Sequence, residues 1–292
     1  MKKFKIAGFG EVLWDMLPSG KVMGGAPLNF AYHTTQFGCE GFIISALGSD
    51  TLGLELLDLI QKIKVKTNCL QVNHHLTGTV DVKLDNNGTP TYKITENVAW
   101  DFIAWDDNIN ICSSELDAVC WGTLAQREKQ SQSVILQLLQ SVKPDCLKVF
   151  DCNFRGTYFN KEVIITSLKY ANVFKCNEEE WPVLESYFYL QGTIENQIIQ
   201  LANRFDLSYL AYTMGKNGSI VFHNGKFNYQ QSSKINIVDT VGAGDCFTAV
   251  LTVGILNELP IDLIHKKAVE SAGFVCTRAG ATPTLLNTSW EV

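Results

Sequence analysis

The segment with the clearest chemical potential is DTVGAGDCF, residues 239–247. Alternating apolar side chains at 235–238 predict a strand before it, and the apolar run from 246 to about 256 predicts a helix after it. The first backbone N–H groups of a helix lack intrahelical partners and lie at the positive end of the helix dipole, so they attract anions. Three small residues leave room for a phosphate to reach those groups: Gly242, Ala243 and Gly244.

Asp245 is the unexpected residue of this loop, because a carboxylate beside a bound phosphate is repulsive. General-base catalysis would justify it, since a carboxylate can accept the proton of a hydroxyl that attacks phosphorus. An Asp near a helix start can also be a simple helix cap, and the local sequence alone favours that interpretation. The hypothesis of phosphoryl transfer therefore needs support from the rest of the chain.

Composition and charge narrow the class of protein. The chain has 292 residues, 46% of them hydrophobic, and a net charge of −6. It can bury a large core, but no dense run of Lys or Arg suits nucleic acid or an anionic membrane. No apolar run is long enough to span a bilayer and the first residues do not form a signal peptide, so we expect a cytoplasmic protein. The nine cysteines show no metal-binding spacing and should be reduced and mostly buried.

Helical and strand-like segments alternate along most of the chain. The 3.6-residue periodicity of residues 127–142 predicts a helix. Short apolar runs predict strands at 4–9, 147–150, 173–176 and 208–213. This alternation is typical of an α/β fold with a mainly parallel sheet flanked by helices. We expect a single domain over residues 1–292.

Two stretches depart from this alternation and predict antiparallel hairpins. Residues 79–94 would turn at Asn86-Asn87-Gly88, and a second hairpin would turn at Asn224-Gly225. The apolar face of the first hairpin consists of Val80, Val82 and Leu84. From its pattern alone, this hairpin suits a decorative edge as well as a small sheet over a binding site. Its apolar face could pair with a second copy in a homodimer or pack on its own core.

The first thirty residues contain groups that suit a sugar. Carboxylates, side-chain amides and closely approaching glycine backbone bind sugar hydroxyls. These groups are supplied by Asp15, Gly24, Gly25 and Asn29. Taken singly, each of them also fits a solvated Asp or an ordinary turn.

Two further motifs, GTLAQR at 122–127 and DCNFR at 151–155, each end a predicted strand. Open α/β sheets bind their ligands at the carboxyl ends of the strands. Arg155 could bind phosphate or sugar through its planar guanidinium, or form a surface ion pair. Arg127 is a second candidate with less support.

The later motifs NEEE at 177–180 and TMGKNG at 213–218 could serve a nucleotide. The acidic string also suits an ordinary helix start, which the dipole stabilises. No G-x-x-x-x-G-K-[ST] string occurs in the chain, which excludes the P-loop NTPases. Gly8-Phe9-Gly10 begins a dinucleotide fingerprint that Leu13 leaves incomplete, which argues against an oxidoreductase.

In this order along nearly the whole chain, the motifs resemble those of the ribokinase-like, PfkB-type carbohydrate kinases. The strings GGAPLNFA, GTLAQR, DCNFR and NVAWD are most similar to the fructokinase branch. The resemblance implies a ribokinase-like fold with a small antiparallel β lid, formed from about 11–24 and 76–104. It also implies ATP-dependent phosphorylation of a primary sugar hydroxyl, with fructose preferred.

The resemblance further implies a role for each candidate residue. Asp245 would be the catalytic base, and the transferring phosphoryl group would lie against Gly242, Ala243, Gly244 and Arg155. The sugar would be held by Asp15, Gly24, Gly25, Asn29 and Asn153. ATP would contact Asn177, Thr213, Gly215, Gly218 and Gly244. Glu180 would organise hydrated Mg²⁺, and a monovalent-cation site suited to K⁺ would comprise Asp239 and the carbonyls of Val241, Val275 and Gly280.

Alternatives stay open for the acceptor sugar and for the class of function. Ribose, 2-keto-3-deoxygluconate and other hexoses stay open, because sugar choice depends on hydroxyl geometry that a sequence does not display. A catalytically silent, sugar-responsive binding protein on the same fold is the alternative from another class. The presence of Asp245, both loop glycines and Glu180 argues against it.

Overall fold

A computed structural model describes residues 3–84 and 90–290 of the chain, with the side chains of 82–84 and 90–92 outside the description. Its strands are β1 (Lys5–Phe9), β2 (Leu13–Leu17), β3 (Gly20–Gly24), β4 (Glu40–Gly48), β5 (Leu70–Asn73), β6 (Gly78–Leu84), β7 (Pro90–Ile94), β8 (Ala118–Trp121), β9 (Leu147–Asp151), β10 (Val173–Asn177), β11 (Tyr209–Thr213), β12 (Ser219–His223) and β13 (Lys226–Gln230). Its α-helices are α1 (Ala26–Gln36), α2 (Thr51–Lys62), α3 (Asp107–Ser113), α4 (Lys129–Ser141), α5 (Lys161–Tyr170), α6 (Trp181–Phe188), α7 (Ile194–Phe205), α8 (Ala243–Leu256) and α9 (Ile261–Cys276).

Within the described residues, nine strands form one sheet in the order β13-β12-β11-β10-β9-β8-β1-β4-β5. Pairing is parallel from β11 through to β5, and antiparallel between β11, β12 and β13 at one edge. The predicted α/β fold with a mainly parallel sheet is confirmed. Since the strands are parallel, their carboxyl ends meet at one edge of the sheet, and the loops that follow them lie together.

The two faces of the sheet are covered by different helices. One core packs side chains of α3 to α7 against the sheet, and the other packs α1, α8 and α9. Stacked rings of Trp121, Phe150 and Phe174 link neighbouring strands β8, β9 and β10 on the first face. The next residue along β9, Asp151, therefore points to the opposite face, beneath α8. All nine cysteines are free, and eight of them are buried.

The small antiparallel sheet has the order β3-β2-β6-β7, and we call it the lid sheet. Val80 is buried there against Leu13 and Ile94, so its apolar side chain packs within its own chain. The predicted turn Asn86-Asn87-Gly88 lies outside the described residues, as do the side chains of Val82 and Leu84.

The second hairpin is confirmed, because β12 and β13 pair around Asn224 and Gly225. Both turn residues have positive φ, 49° and 74°, which is the geometry that Asn-Gly favours. No helix in the described part of the chain is long and apolar enough to cross a membrane.

The structure corrects one prediction next to the glycine loop. Residues 235–238 are not a strand, and the side chains of Ile237 and Val238 are 62% and 65% exposed. Because these side chains do not pack on a sheet, the alternation of apolar and polar residues is not enough to make this segment a strand. In addition, α8 begins at Ala243 rather than at Cys246, so Asp245 lies inside its first turn.

Candidate active site

The glycine loop is shaped by close packing against the C-terminal segment. Gly242 caps α8 with φ of 80°, and its carbonyl accepts the N–H of Cys246 at 2.9 Å. A Cβ at position 242 would lie 2.6 Å from the carbonyl oxygen of Ala281. Only glycine fits there, and the loop is thereby held against the C-terminal segment at the first turn of α8, where the N–H groups of a helix start can bind an anion.

Asp245 and Asn29, 216 residues apart in sequence, are brought into direct contact. The Asn29 Nδ2 group donates a hydrogen bond to Asp245 Oδ2 at 2.8 Å. Burial raises the pKa of Asp245 to about 6, the Asn29 bond opposes the rise, and the negative charge of Asp151 adds to it. A carboxylate with this pKa is ionised at neutral pH and more basic than an ordinary Asp.

Asn29 carries an unused acceptor beside this contact. It is 3% exposed, and its Oδ1 atom has no hydrogen-bond partner among the described residues. A buried acceptor without a donor costs free energy unless a ligand supplies that donor. A sugar hydroxyl is such a donor, and the same hydroxyl-rich ligand would lie next to Asp245.

The other sugar-site candidates lie where the lid sheet meets α1. Asp15 lies on β2, and its Oδ2 atom would be 2.5 Å from a Cβ at Gly24. A Cβ at Gly25, whose φ is 118°, would lie 2.3 Å from the carbonyl oxygen of Glu11. Glycine is therefore required at position 25, whereas a side chain at position 24 would displace the Asp15 carboxylate. Burial raises the pKa of Asp15.

Arg155 is exposed and follows β9, and its Nη1 group donates to the carbonyl of the preceding residue at 3.0 Å. Burial raises the pKa of three nearby carboxyl groups, those of Glu11, Asp15 and Asp245, and the positive charge of Arg155 opposes each rise. The structure thus brings Arg155 within electrostatic reach of the candidate base and the sugar site, with its guanidinium open to an anionic ligand.

Asp245 lines a small cavity of about 20 Å³. Among its lining residues are Glu11, Asn153, Asp151 and Thr248. Glu11 is 5% exposed, and burial raises the pKa of its carboxyl to about 7. Glu11 was not among the candidate residues predicted from the sequence. An acidic side chain in an otherwise apolar segment was the available signal, since buried Glu is rare.

The nucleotide-site candidates gather at the ends of β10 and β11. The Asn177 Oδ1 atom accepts the N–H groups of Glu179 and Glu180, each at 2.9 Å. The Glu178 N–H group donates to the carbonyl of Thr213 at 2.9 Å, which joins the two strand ends.

The two glycines that follow β11 have conformations that other residues rarely adopt. Gly215 has φ of 50° and Gly218 has φ of 94°. A Cβ at Gly218 would lie 2.2 Å from the carbonyl oxygen of Gln230. Glycine is therefore required at position 218, and the backbone of Gly215 is exposed beside the ends of β10 and β11.

Glu180 is 4% exposed, and both of its carboxylate oxygens are engaged. They accept the N–H groups of Phe154 at 2.9 Å and Asn177 at 2.8 Å. A carboxylate held in this way fits a hydrated Mg²⁺ through water better than direct coordination. Among the described residues, no group of three or more His, Cys, Asp or Glu side chains is arranged to hold a metal ion.

Asp239 joins the glycine loop to the C-terminal segment. Its Oδ1 atom accepts the N–H of Val241 at 3.0 Å, and its Oδ2 atom accepts the N–H of Gly280 at 3.1 Å. The carbonyl of Val275 accepts the N–H of Arg278 at 3.0 Å. Asp239 thus contacts Val241 and Gly280 directly, and its N–H donates to the carbonyl of Cys276, the neighbour of Val275, at 3.3 Å. Carbonyl and carboxylate oxygens of this kind are the donors that K⁺ prefers.

A buried ion pair in this region was not predicted from the sequence. Lys175 and Asp151 are register partners on β10 and β9, and Lys175 Nζ lies 3.0 Å from Asp151 Oδ1. The signal in the sequence was a lone Lys inside the apolar run VFKC, since Lys is almost never buried without a partner.

Arg127 belongs to a different part of the fold. Its guanidinium donates to both carboxylate oxygens of Asp101 at 2.8 Å and to the carbonyl of Thr95 at 2.7 Å. The guanidinium also lies over the Trp100 and Tyr158 rings. It therefore fixes the segment that returns from the lid sheet, and it does not contact Asp245.

Comparison with known proteins matches residues 18–288 to the model of the pfkB family carbohydrate kinases. A fructokinase of Salmonella typhimurium is 27% identical over 97% of this chain and 96% of its own length. The sugar kinase PH1459 of Pyrococcus horikoshii, solved in complex with ATP, superposes with a TM-score of 0.78 at 26% identity, covering 95% and 94% of the two chains. The 2-dehydro-3-deoxygluconokinase of Thermotoga maritima shares the fold, with a TM-score of 0.84 at 19% identity and coverage of 97% and 96%. The chain therefore belongs to the pfkB family of carbohydrate kinases.

Proposed function

We propose that this protein transfers the γ-phosphoryl group of ATP to a primary hydroxyl of a sugar, with fructose as the acceptor. The observation that carries the proposal is the contact between Asn29 and Asp245 at the start of α8, beside the glycine loop. It combines a hydroxyl-binding amide, a basic carboxylate and an anion site. A phosphoryl transfer to an alcohol needs all three in one place.

In the proposed reaction, the sugar hydroxyl oxygen forms a bond to the γ-phosphorus while the bond from that phosphorus to the bridging oxygen of ADP breaks. Asp245 accepts the hydroxyl proton. Negative charge on the transferring group is stabilised by Arg155 and by the backbone of Gly242, Ala243 and Gly244. The sugar is held by Asp15, Gly24, Gly25, Asn29 and Asn153.

ATP is proposed to lie over the ends of β10 and β11, against Asn177, Thr213, Gly215 and Gly218, with its γ-phosphate at Gly244. The ATP complex of the Pyrococcus horikoshii relative supports a nucleotide of this kind. Mg²⁺ would be held through water by Glu180 and would neutralise phosphate charge. K⁺ would be held by Asp239 and the carbonyls of Val241, Val275 and Gly280, and would stabilise the loop beside the phosphates.

The choice of fructose rests on motif similarity and on the fructokinase relative, while the 2-dehydro-3-deoxygluconokinase shares the fold alone. Ribose, 2-keto-3-deoxygluconate and other hexoses are therefore the competing acceptors. We also propose that the lid sheet closes over the sugar, because Asp15 is carried by its strand β2. Closure would exclude water, which otherwise competes for the γ-phosphoryl group.

The test is ADP release from Mg²⁺-ATP across a panel of fructose, ribose, glucose, mannose and 2-keto-3-deoxygluconate, with NMR identification of the phosphorylated carbon. We expect the highest kcat/KM for fructose and transfer to its primary hydroxyl. A different preferred sugar would overturn the acceptor and leave the kinase intact. Sugar binding by calorimetry without any ADP release would replace the kinase with a sugar-responsive binding protein.

A further inference from the structure

A buried ion pair lies directly below the glycine loop. Lys175 and Asp151 are 5% and 7% exposed, and their charged atoms are 3.0 Å apart. A Cβ on Gly244 would lie 3.1 Å from Lys175 Nζ, so the ammonium group touches the underside of the first turn of α8. The positive charge of Lys175 is thus fixed beneath the glycine-loop backbone, which is proposed to bind the transferring phosphoryl group.

The second oxygen of Asp151 connects this pair to α8. Thr248 Oγ1 donates to Asp151 Oδ2 at 2.8 Å and also lies 3.0 Å from the carbonyl oxygen of Gly244. Asp151 and Asp245 line the same small cavity. The chain of contacts therefore runs from Lys175 through Asp151 and Thr248 to the turn that carries Asp245.

The location of this pair argues for more than stability. Burying two opposite charges removes both from water, and an apolar pair of similar volume is often at least as stable. A pair that acted on stability alone could lie anywhere in the core. The Lys175–Asp151 pair lies next to the Asp245 carboxyl group, where the buried cation lowers the pKa of that group and the buried anion raises it.

We propose that Lys175 and Asp151 form a positioning pair that balances the charge around Asp245 and holds the first turn of α8 in place through Thr248. The inference rests on the proposed function, in which Asp245 is the proton acceptor. Lys175 favours the ionised, proton-accepting form of Asp245, and Asp151 keeps that form basic.

Other groups face Asp245 from the elements around it, and the substitutions do not replace them. Asn29 on α1 donates a hydrogen bond to it, and the positive charge of Arg155 acts in the same sense as Lys175. The carboxyl of Glu11 interacts with Asp245 across the same cavity. Lys175 and Asp151, by contrast, can be neutralised without replacing any residue that is expected to contact the sugar.

The experiment is a titration of the Asp245 carboxyl by NMR in protein labelled with ¹³C-aspartate, with its signal assigned by its loss in Asp245→Asn. In Lys175→Gln we expect the Asp245 pKa to rise by about one pH unit, and in Asp151→Asn to fall by about one. Both amides can keep a hydrogen bond across the pair. The single-turnover transfer rate at pH 6, relative to pH 8, should fall about fivefold in Lys175→Gln and rise about twofold in Asp151→Asn.

Lys143→Gln is the control, because Lys143 Nζ pairs with the buried Asp117 at 2.6 Å just ahead of β8, at the opposite edge of the sheet. It should leave the Asp245 titration unchanged. Shifts of the same sign in both pair variants, or no shift in folded variants, would overturn the proposal. If either single variant fails to fold, the other still has its own predicted sign.

The double variant Lys175→Gln/Asp151→Asn removes both charges and leaves no isolated buried ion. Its Asp245 pKa should stay close to that of the wild type, and a large shift in it would also overturn the proposal. Since the NMR titration needs no turnover, a wild type that transfers no phosphate would remove the proposed function while the charge balance is still measured.

Discussion

Replacing Asp245 with Asn should abolish catalysis and at the same time stabilise the folded protein. Asn keeps the shape of the side chain, and its Oδ1 atom can still accept the Asn29 hydrogen bond. It cannot accept a proton, so the transfer rate should fall by about 10²- to 10⁴-fold. Sugar binding should be nearly unchanged, because Asp15, Gly25 and Asn29 stay in place.

The gain in stability follows from the raised pKa. Folding moves the Asp245 pKa from 3.8 to about 6, mainly through burial, so the folded state disfavours the ionised form. Two pKa units correspond to about 3 kcal/mol at pH 8, where the group is ionised in both states. The penalty develops between the two pKa values and decreases to about 1 kcal/mol at pH 4.5. For 292 residues, 3 kcal/mol corresponds to a Tm increase of about 5 °C.

The assay combines thermal unfolding at pH 8 and pH 4.5 with steady-state ADP release and sugar calorimetry. Asp58→Asn is the control, because Asp58 is exposed and, among the described residues, its ion pair is with Lys62 one helical turn away. An Asp245→Asn protein that is less stable than the wild type at pH 8 would refute the burial argument. One that keeps more than a tenth of the wild-type rate would refute the role of Asp245 as the base.

The remaining predictions test contacts rather than charge at the base. Gly25→Ala should raise the sugar KM at least tenfold, because its Cβ would meet the Glu11 carbonyl oxygen at 2.3 Å, whereas Gly20→Ala shares a positive φ but has no atom within 4 Å and should leave KM alone. Equal KM values in the two variants would contradict this expectation. Arg127→Met should cost about 3–5 kcal/mol in urea unfolding, because it leaves a buried carboxylate unpaired, while Lys62→Met should change stability by about 0.5 kcal/mol or less. A loss of stability below about 1 kcal/mol for Arg127→Met would show that its ion pair with Asp101 is not needed to hold the segment that returns from the lid sheet.

The sequence predicted those parts of the structure whose signals are local. The parallel strands follow from short apolar runs that alternate with helices, and the Asn224-Gly225 turn follows from residues that tolerate positive φ. The glycine loop at the start of α8 followed from small residues ahead of an apolar run. Each of these features is set by neighbours within a few positions, so a single chain displays them.

Features that depend on tertiary contacts were harder to predict. The run at 235–238 alternates like a strand, but its backbone bonds to the end of α9 through Val238 N and Cys276 O, at 2.9 Å, and pairs with no strand. Lys175 and Asp151 lie 24 residues apart and become partners only because β9 and β10 pair in one register. Nothing local to either residue specifies that register.

The start of α8 shows why distant parts of the chain must converge on nine residues. Gly242 packs on Ala281, whose carbonyl lies 2.9 Å from Nε2 of His33 on α1. Burial lowers the pKa of His33 to about 4, so at neutral pH the ring is uncharged and its Nε2–H donates to that carbonyl. Asp239 fixes the same C-terminal segment through the N–H of Gly280. The loop is therefore held from α1, from the C-terminal segment and, through Thr248, from the sheet. Groups held on several sides do not have to reorganise when charge develops on a ligand, which is the condition under which backbone N–H groups stabilise a transition state most strongly.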